Sequence, residues 1–209
     1  MQPTYESDEA DGPVTQAESA PTSTPKRILR PIAEIATLLA MLYALATFAV
    51  NSISINDDTM RPNLSGGQRV LINRLSYRLT PPLRGDVVAV RDPRNAEQWV
   101  ARRVVGLPGE EIEVVGNQVS VNGRAMAESY LDPSSLQTLL GERQTTRKQY
   151  QLGEAEYFLM SDKRTVGIDS RDWGAVSPDR IEGRLGLVYW PPDTISLTKH
   201  AQYEEQTLK

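Results

Sequence analysis

The side chains available for chemistry narrow the choice of reactions. The 209-residue chain has no cysteine and a single histidine, His200, near its C-terminus. Thiol nucleophiles and thiolate metal sites are therefore excluded, and neither a histidine metal cluster nor a serine–histidine triad fits; we expect no metal and no other cofactor. Hydroxyl, carboxylate and apolar side chains meet at residues 57–64, D-D-T-M-R-P-N-L. A threonine hydroxyl serves as a nucleophile where a base accepts its proton.

Four blocks of sequence follow one another in an order typical of one protein family. Residues 59–64 match the pattern S-M-x-P-T-L, with threonine in place of the serine. Residues 84–88 (RGDVV) and 102–110 (RRVVGLPGE) come next, and the last block comprises residues 158–164 (FLMSDKR), 169–171 (DSR) and 173–174 (WG). Over roughly residues 32–192 the chain thus resembles the type I signal peptidases, membrane-bound Ser/Lys endopeptidases that remove signal peptides.

The resemblance implies a role for each position of the reaction centre. Thr59 takes the place of the nucleophilic serine, and Arg102 takes the place of the lysine base. Gly167 stands where the family has the serine that orients this base. Asp57 stands two residues before the nucleophile, at a position that frames the oxyanion hole.

The resemblance also implies supporting residues around that centre. Met60 supports the site and, with Ile55, lines a groove for the substrate peptide. Asp169 and Arg171 form an ion pair that holds the last block in place.

The substitutions at the reaction centre argue against ordinary catalysis. Burial can lower the pKa of a lysine enough to make it a base, whereas an arginine guanidinium, with a pKa above about 12, stays charged. Gly167 has no side chain that orients a base, and a carboxylate at Asp57 repels a developing oxyanion. Loss of a general base costs about 10² to 10⁴-fold in rate, and loss of an oxyanion contact about 10² to 10³-fold. The sequence therefore favours a homologue that has lost catalysis.

A divergent active enzyme is the alternative. Thr59 is a crowded but usable nucleophile, and Lys163 in the last block is one candidate for a replacement base. The carboxylates of Asp57 and Asp58 are others, although a pKa near about 4 makes a poor base for an alcohol unless burial raises it. For Arg102 we predict an ion pair with Asp57, because a permanent cation in a formerly apolar slot needs a partner.

Short strands must position these residues. Apolar patterns predict strands near residues 53–55, 70–72, 86–90, 99–105, 157–160 and 185–190, and Gly116-Asn117 predicts a hairpin over residues 112–121. The predicted fold is mainly β, a signal-peptidase-type antiparallel body over residues 52–199 that follows one N-terminal transmembrane helix. Residues 125–149 are predicted to be a polar insertion and residues 200–209 a C-terminal tail.

The N-terminal segment differs from the rest of the chain in composition. Residues 1–31 are predicted to be a disordered acidic tail with a basic flank. Residues 32–51 are predicted to be a transmembrane anchor, because residues 35–50 carry no charge and their helix approaches the bilayer core thickness of about 30 Å. The alternatives are a buried core helix and a cleaved signal peptide with a site at Ala44-Leu45-Ala46. Charge asymmetry predicts a single-pass protein with a cytoplasmic N-terminus and an extracytoplasmic β domain.

Two functions remain open from the sequence. The first is a non-catalytic homologue that keeps a groove for extended peptides beside the membrane and binds signal-peptide-bearing precursors or an active peptidase. The second is a divergent signal peptidase that uses Thr59. The lipid membrane is an expected partner in both, whereas a net charge of −4 without a basic stripe argues against nucleic acid.

Overall fold

The computed structural model describes residues 26–132, 147–201 and 203–205. The chain divides into two compact units, residues 1–42 and residues 43–209. Helix α1 (Lys26–Ala49) ends where the first strand of the β body begins. Residues 1–25 of the predicted disordered tail lie outside the described residues.

Helix α1 contains most of the apolar run. Its described apolar side chains are largely exposed, including Ile35 at 58%, Leu38 at 69% and Met41 at 72%. Pro31 lies within the helix, in its second turn. Among the described residues, no helix combines the length and the apolar character that crossing a bilayer requires.

The larger of two sheets carries the residues of interest. Its strands are β1 (Val50–Ser54), β2 (Arg69–Asn73), β3 (Val87–Asp92), β4 (Asn95–Gly106), β9 (Phe158–Met160), β10 (Ile181–Trp190) and β11 (Ser196–Leu197). Within the described part of the chain the order is β1-β2-β10-β3-β4-β9, with β11 paired to β10, and the pairs are antiparallel. Strand β4 therefore pairs with β3 on one side and with β9 on the other.

The smaller sheet lies at the C-terminal end of β4, next to β9. Its strands are β5 (Glu111–Val115), β6 (Gln118–Val121), β7 (Arg124–Ala127), β8 (Arg147–Gln151) and β12 (Glu204–Glu205), in the order β12-β7-β6-β5-β8. Val115 pairs with Gln118 across the Gly116-Asn117 turn, where Gly116 has φ of 62°. This confirms the predicted hairpin, because glycine adopts a positive φ without steric cost.

In the described part of the chain, two short helices and two 3₁₀ turns link the strands. They are α2 (Ser76–Leu79), α3 (Ser170–Trp173) and the 3₁₀ segments Pro178–Arg180 and Pro192–Thr194. Helix α3 begins at a capping box, in which the Asp169 carboxylate accepts from the Arg171 N–H and the Asp172 carboxylate accepts from the Asp169 N–H. Such caps satisfy donors that a helix start leaves open, and this one fixes Asp169 in the body.

The core lies on the inner faces of these strands. Strand β2 shows the alternation expected of a half-buried strand, with Val70 and Ile72 buried and their neighbours more exposed. They pack in one cluster with Ile53, Met60 and Leu64 from the segment that contains Thr59. A separate cluster joins the end of β4 and β9 to the smaller sheet. The predicted mainly β, antiparallel body is confirmed.

The margins of the body take part in its sheets. The ends of the polar interval at residues 125–149 fall in β7 and β8, and residues 133–146 lie outside the described residues. In the segment predicted as a tail, Ala201 is buried and donates its N–H to the Gly85 carbonyl at 3.2 Å. Strand β12 pairs with Met126 and Ala127.

Candidate functional site

The loop between β1 and β2 presents Thr59. Met60 and Leu64, 0% and 1% exposed, anchor this loop in the core, and the Leu64 N–H donates to the Met60 carbonyl at 2.9 Å. The Thr59 carbonyl accepts from the Lys163 N–H at 2.8 Å, which ties the loop to the last sequence block. Thr59 itself is 8% exposed. Its side chain is thus held at a fixed place near the surface.

The side chain of Arg102, on β4, also contacts Thr59. Its Nη1 donates to Thr59 Oγ1 at 3.1 Å, and Nε and Nη2 donate to the Ile168 carbonyl at 3.0 and 2.8 Å. A further bond goes to the Ala101 carbonyl at 2.5 Å, and the guanidinium lies 5.8 Å from the ring centroid of Trp173. The arginine is 4% exposed, so these bonds replace most of its hydration.

The protonation state of Arg102 follows from its surroundings. Burial lowers the pKa of its guanidinium, and the negative charges of Asp169, Asp57 and Asp92 oppose that decrease. Arginine starts from a pKa above about 12 and its donors are engaged in hydrogen bonds, so it remains a cation. The position that the resemblance assigns to a base therefore supplies a hydrogen-bond donor.

Asp57 binds Thr59 through a single carboxylate oxygen. Oδ1 accepts from Thr59 Oγ1 at 2.6 Å and from the Thr59 N–H at 3.0 Å. The hydroxyl thus donates to Asp57 and accepts from Arg102. Both of its hydrogen-bonding functions are occupied within the protein.

The predicted ion pair between Arg102 and Asp57 is wrong. Among the described residues, Arg102 has no carboxylate oxygen within 4 Å of its nitrogens. The physical reason is that the Thr59 hydroxyl lies between the two charges and bridges them. Carbonyl oxygens of Ile168 and Ala101 take the remaining donors of the guanidinium.

Gly167 packs against the methyl group of Thr59. A Cβ on Gly167 would lie 3.0 Å from Thr59 Cγ2 and 2.9 Å from Ser161 Oγ. The backbone φ there is 98°, a conformation that residues with side chains rarely adopt. The threonine methyl therefore uses space that is open because position 167 is glycine.

Asp169 and Arg171 form a buried ion pair beneath this packing. Arg171 Nε and Nη2 donate to the two Asp169 oxygens at 2.8 and 2.7 Å, and Ser161 Oγ donates to Oδ2 at 2.5 Å. Burial alone would raise the pKa of Asp169, but these bonds and the Arg171 charge outweigh it and lower the pKa to about 2. The pair stays ionised and fixes Ser161 next to Gly167.

A second buried ion pair joins Arg103, the residue after Arg102, to Asp162. The sequence patterns did not indicate this acidic partner. Arg103 Nε and Nη2 donate to the Asp162 oxygens at 2.7 and 2.5 Å, and both side chains are 1% exposed or less. Arg103 Nη1 also donates to the carbonyls of Gly85 and Lys199. Asp162 is the one acid within the block FLMSDKR, four residues after the start of β9, and that was the available signal.

The proposed alternative bases lie in different settings. Lys163 contacts Thr59 through its backbone N–H, and among the described residues its ammonium has no hydrogen-bond partner. Asp58 Oδ1 pairs with Arg61 at 3.0 Å and accepts from the Gly66 N–H at 3.0 Å. Of these groups, only the Asp57 carboxylate bonds the Thr59 hydroxyl.

A small cleft, with a cavity of about 20 Å³, lies between two stretches of backbone and reaches Asp57, the residue that is hydrogen-bonded to Thr59. Its walls come from residues 53–57 and 98–101, including Ile55, Asp57, Trp99 and Ala101. Ile55, which the resemblance places on a groove wall, lies here, and Met60 is buried in the core next to it. In the described residues β1 pairs only with β2, and β4 pairs with β9 only from Arg103 onward. Each wall thus presents a strand edge that no described strand covers.

Comparison with known proteins places this site in context. The family model described as signal peptidase, peptidase S26, matches residues 28–190. A signal peptidase I from Leptolyngbya laminosa is 28% identical over 88% of this chain and 93% of its own length. A signal peptidase IB from Staphylococcus aureus (strain COL) is 29% identical over 79% and 91% of the respective chains.

One solved structure is also similar to part of the chain. A crystal structure of a signal peptidase I from Enterococcus faecalis V583 is 32% identical in sequence. It covers 51% of this chain and 97% of its own, with a TM-score of 0.44.

Proposed function

Since the chain belongs to the signal peptidase family, peptidase S26, we propose that it is a non-catalytic member that binds signal-peptide-like segments in the cleft beside Thr59. The family match covers residues 28–190 and so includes the whole cleft and every matched position of the reaction centre. The chemistry at that centre differs from what peptide hydrolysis by a Ser/Lys pair needs.

The observation that supports this proposal most is the double hydrogen bond to Asp57. A nucleophilic hydroxyl needs a base that accepts its proton, and the oxyanion that develops on the substrate needs free donors such as backbone N–H groups. Here the Thr59 N–H, the donor nearest the hydroxyl, is bonded to the Asp57 carboxylate at 3.0 Å. The same carboxylate oxygen places a negative charge where a donor is required. Arg102, a permanent cation, adds no proton acceptor.

The cleft supports binding in the absence of cleavage. Uncovered strand edges bind extended peptides through backbone hydrogen bonds, and pockets for alternate side chains add selectivity. The walls at residues 53–57 and 98–101 offer such edges with apolar side chains between them. The cleavage-site region of a signal peptide fits these requirements, because its small side chains let the backbone approach the strand edges.

Membrane attachment is part of the same proposal. Residues 35–50 carry no charge, and the described apolar side chains of α1 have no core of their own to pack into. We propose that this segment anchors the chain in a lipid membrane, with the N-terminus cytoplasmic and the β domain outside. Partners are then signal-peptide-bearing precursors or an active peptidase acting on them.

A second candidate function is a divergent active peptidase. The observation that favours it is the 2.6 Å distance from Thr59 Oγ1 to Asp57 Oδ1, over which a proton can transfer directly. Asp57 would act as the base and Arg102 would stabilise charge. Against it, Asp57 is exposed, and an exposed carboxylate is a weak base for an alcohol.

Binding of a fluorescently labelled signal-peptide segment to the full chain in detergent tests the proposal. Ser54 is exposed on β1 and lines the cleft, so Ser54→Trp fills it and should weaken binding at least tenfold. Ser52→Trp is the matched control, because Ser52 is on the same strand and also exposed but does not line the cleft. Equal binding by the two variants, or no binding by the unmodified chain, would overturn peptide binding in this cleft.

A further inference from the structure

One carboxylate oxygen of Asp57, a residue that lines the cleft, accepts no hydrogen bond from the described residues. Oδ1 carries both hydrogen bonds from Thr59, and no described residue donates to Oδ2. The residue is exposed and lies on the wall at the end of the cleft next to Thr59. A carboxylate oxygen is therefore presented to whatever occupies this end of the cleft.

Several other charged groups near the cleft already have a partner, including Arg91, which stacks on the Trp99 ring at 4.7 Å; the ammonium of Lys163 has none among the described residues. Asp58 is bridged to Arg61 at 3.0 Å, and Asp92 is bridged to Arg94 at 2.8 Å. Arg102, the cation nearest to Asp57, is buried behind the Thr59 hydroxyl and forms no ion pair with it. Among the described residues, Asp57 thus has no cation within 4 Å, and the exposed end of the cleft is negative.

We propose that Asp57 makes the cleft selective for extended segments that place a lysine or arginine side chain beside Thr59. This inference rests on the proposed peptide-binding function and names the class of peptide. A lysine ammonium or arginine guanidinium at this point completes the hydrogen bonding of Oδ2. A glutamate or aspartate at the same point is repelled by Asp57.

The rest of the cleft sharpens this preference. Ile53, Ile55 and Trp99 give its walls an apolar lining next to the exposed carboxylate of Asp57. The aliphatic stem of lysine or arginine packs along such walls while the charged head reaches the carboxylate. A neutral peptide keeps the backbone contacts and lacks only this pair.

Peptide binding to the full chain in detergent tests the inference. The probe is a neutral signal-peptide-like segment, with a single lysine moved along it one position at a time and the same series made with glutamate. We expect one lysine position to bind about three- to fivefold tighter than the neutral peptide at low salt, and glutamate there to bind more weakly. In Asp57→Asn the lysine preference disappears, because asparagine keeps the oxygen that accepts from Thr59 and removes only the charge.

Asp58→Asn is the matched control, since it removes a neighbouring charge that is already paired with Arg61. It should retain the lysine preference. If the neutral peptide binds and no lysine position improves binding, or if Asp58→Asn and Asp57→Asn lose the preference equally, the assignment to Asp57 is overturned. If no peptide of either series binds, the proposed binding function fails together with it.

Discussion

Thr59 Cγ2 lies 3.0 Å from the point that a Cβ on Gly167 would occupy, so the two substituted positions share one space. The methyl group that distinguishes threonine from serine fills the gap left by the absent side chain. Thr59 and Gly167, 108 positions apart by number (167 − 59), therefore form one packing arrangement. A substitution at either position therefore changes the packing at the other.

A double-mutant cycle measures this coupling. Gly167→Ala should destabilise the fold by about 2 kcal/mol or more, from the strained φ of 98° and the contact with the Thr59 methyl. In a Thr59→Ser background the methyl contact is absent while the strain and the 2.9 Å approach to Ser161 Oγ remain, so the loss should be smaller by about 0.5–1 kcal/mol. Urea denaturation of the four proteins gives the values, and strictly additive losses would contradict the shared space.

The guanidinium of Arg102 is expected to stabilise the fold. Arg102→Lys replaces a planar fork that bonds Ile168, Ala101 and Thr59 with a single ammonium that cannot reach all three. We expect a loss of about 1–3 kcal/mol in the free energy of unfolding. Arg91→Lys, on the neighbouring strand with an exposed side chain, is the control and should lose much less. Equal losses would show that the bonds of Arg102 contribute little.

Asp169 should make stability fall in acid. Its pKa in the folded protein is about 2, below the value of 3.8 for an unperturbed aspartate. A depressed pKa stabilises the fold above the unfolded pKa, so this stability is present above about pH 4 and is lost as pH falls towards 2. The difference corresponds to about 2 kcal/mol. In Asp169→Asn, denaturation between pH 5 and 2 should show a shallower pH dependence; an unchanged slope would assign the acid sensitivity elsewhere.

The Arg103–Asp162 pair should be costly to break from one side. Both groups are buried, so Asp162→Asn leaves an uncompensated cation and should cost about 3–5 kcal/mol. The double change Arg103→Met with Asp162→Leu removes both charges and should be less damaging than Asp162→Asn. The exposed pair Arg147–Glu113 offers the contrast, since Glu113→Gln should leave thermal stability nearly unchanged. Similar losses of stability at the two pairs would contradict the expected difference between a buried and an exposed ion pair.

The sequence was sufficient for the parts of the fold that local patterns determine. Alternation of apolar residues around Gly116-Asn117 predicts the β5–β6 hairpin, because the turn needs a positive φ that glycine supplies. The last long strand begins earlier than predicted, at Ile181, because Gly183 lies against the Asn73 carbonyl, where a side chain would clash. That contact joins residues 110 positions apart (183 − 73) and leaves no local signal.

The candidate site likewise has features that the sequence predicts and features that it does not. Motif spacing indicates that Thr59, Arg102 and Gly167 come together, and the structure brings them into contact. Spacing does not say which side chain lies between two charges, so Asp57 and Arg102 were expected to touch and are instead bridged by the Thr59 hydroxyl. The contact between Arg103 and the Lys199 carbonyl likewise depends on where the C-terminal segment crosses the body.

Reversal of the reaction-centre substitutions should recover chemistry only when Asp57 is included. Thr59→Ser with Arg102→Lys leaves the carboxylate bonded to the backbone N–H of residue 59, so we expect no cleavage of a signal-peptide-bearing precursor. Addition of Asp57→Gly frees that N–H and should give measurable cleavage. Gly167 is left unchanged, because its φ of 98° disfavours a side chain. Equal cleavage with and without Asp57→Gly would show that Asp57 does not account for the loss of cleavage.

The most direct test of the central claim is cleavage of a precursor by the full chain in single-turnover conditions, with protein in excess and products identified by mass spectrometry. The unmodified chain and Thr59→Ala are compared over the same times, with binding of the precursor measured in parallel. We predict that both bind the precursor and that neither releases a signal peptide. Cleavage by the unmodified chain that is lost in Thr59→Ala would contradict the account and establish a threonine peptidase.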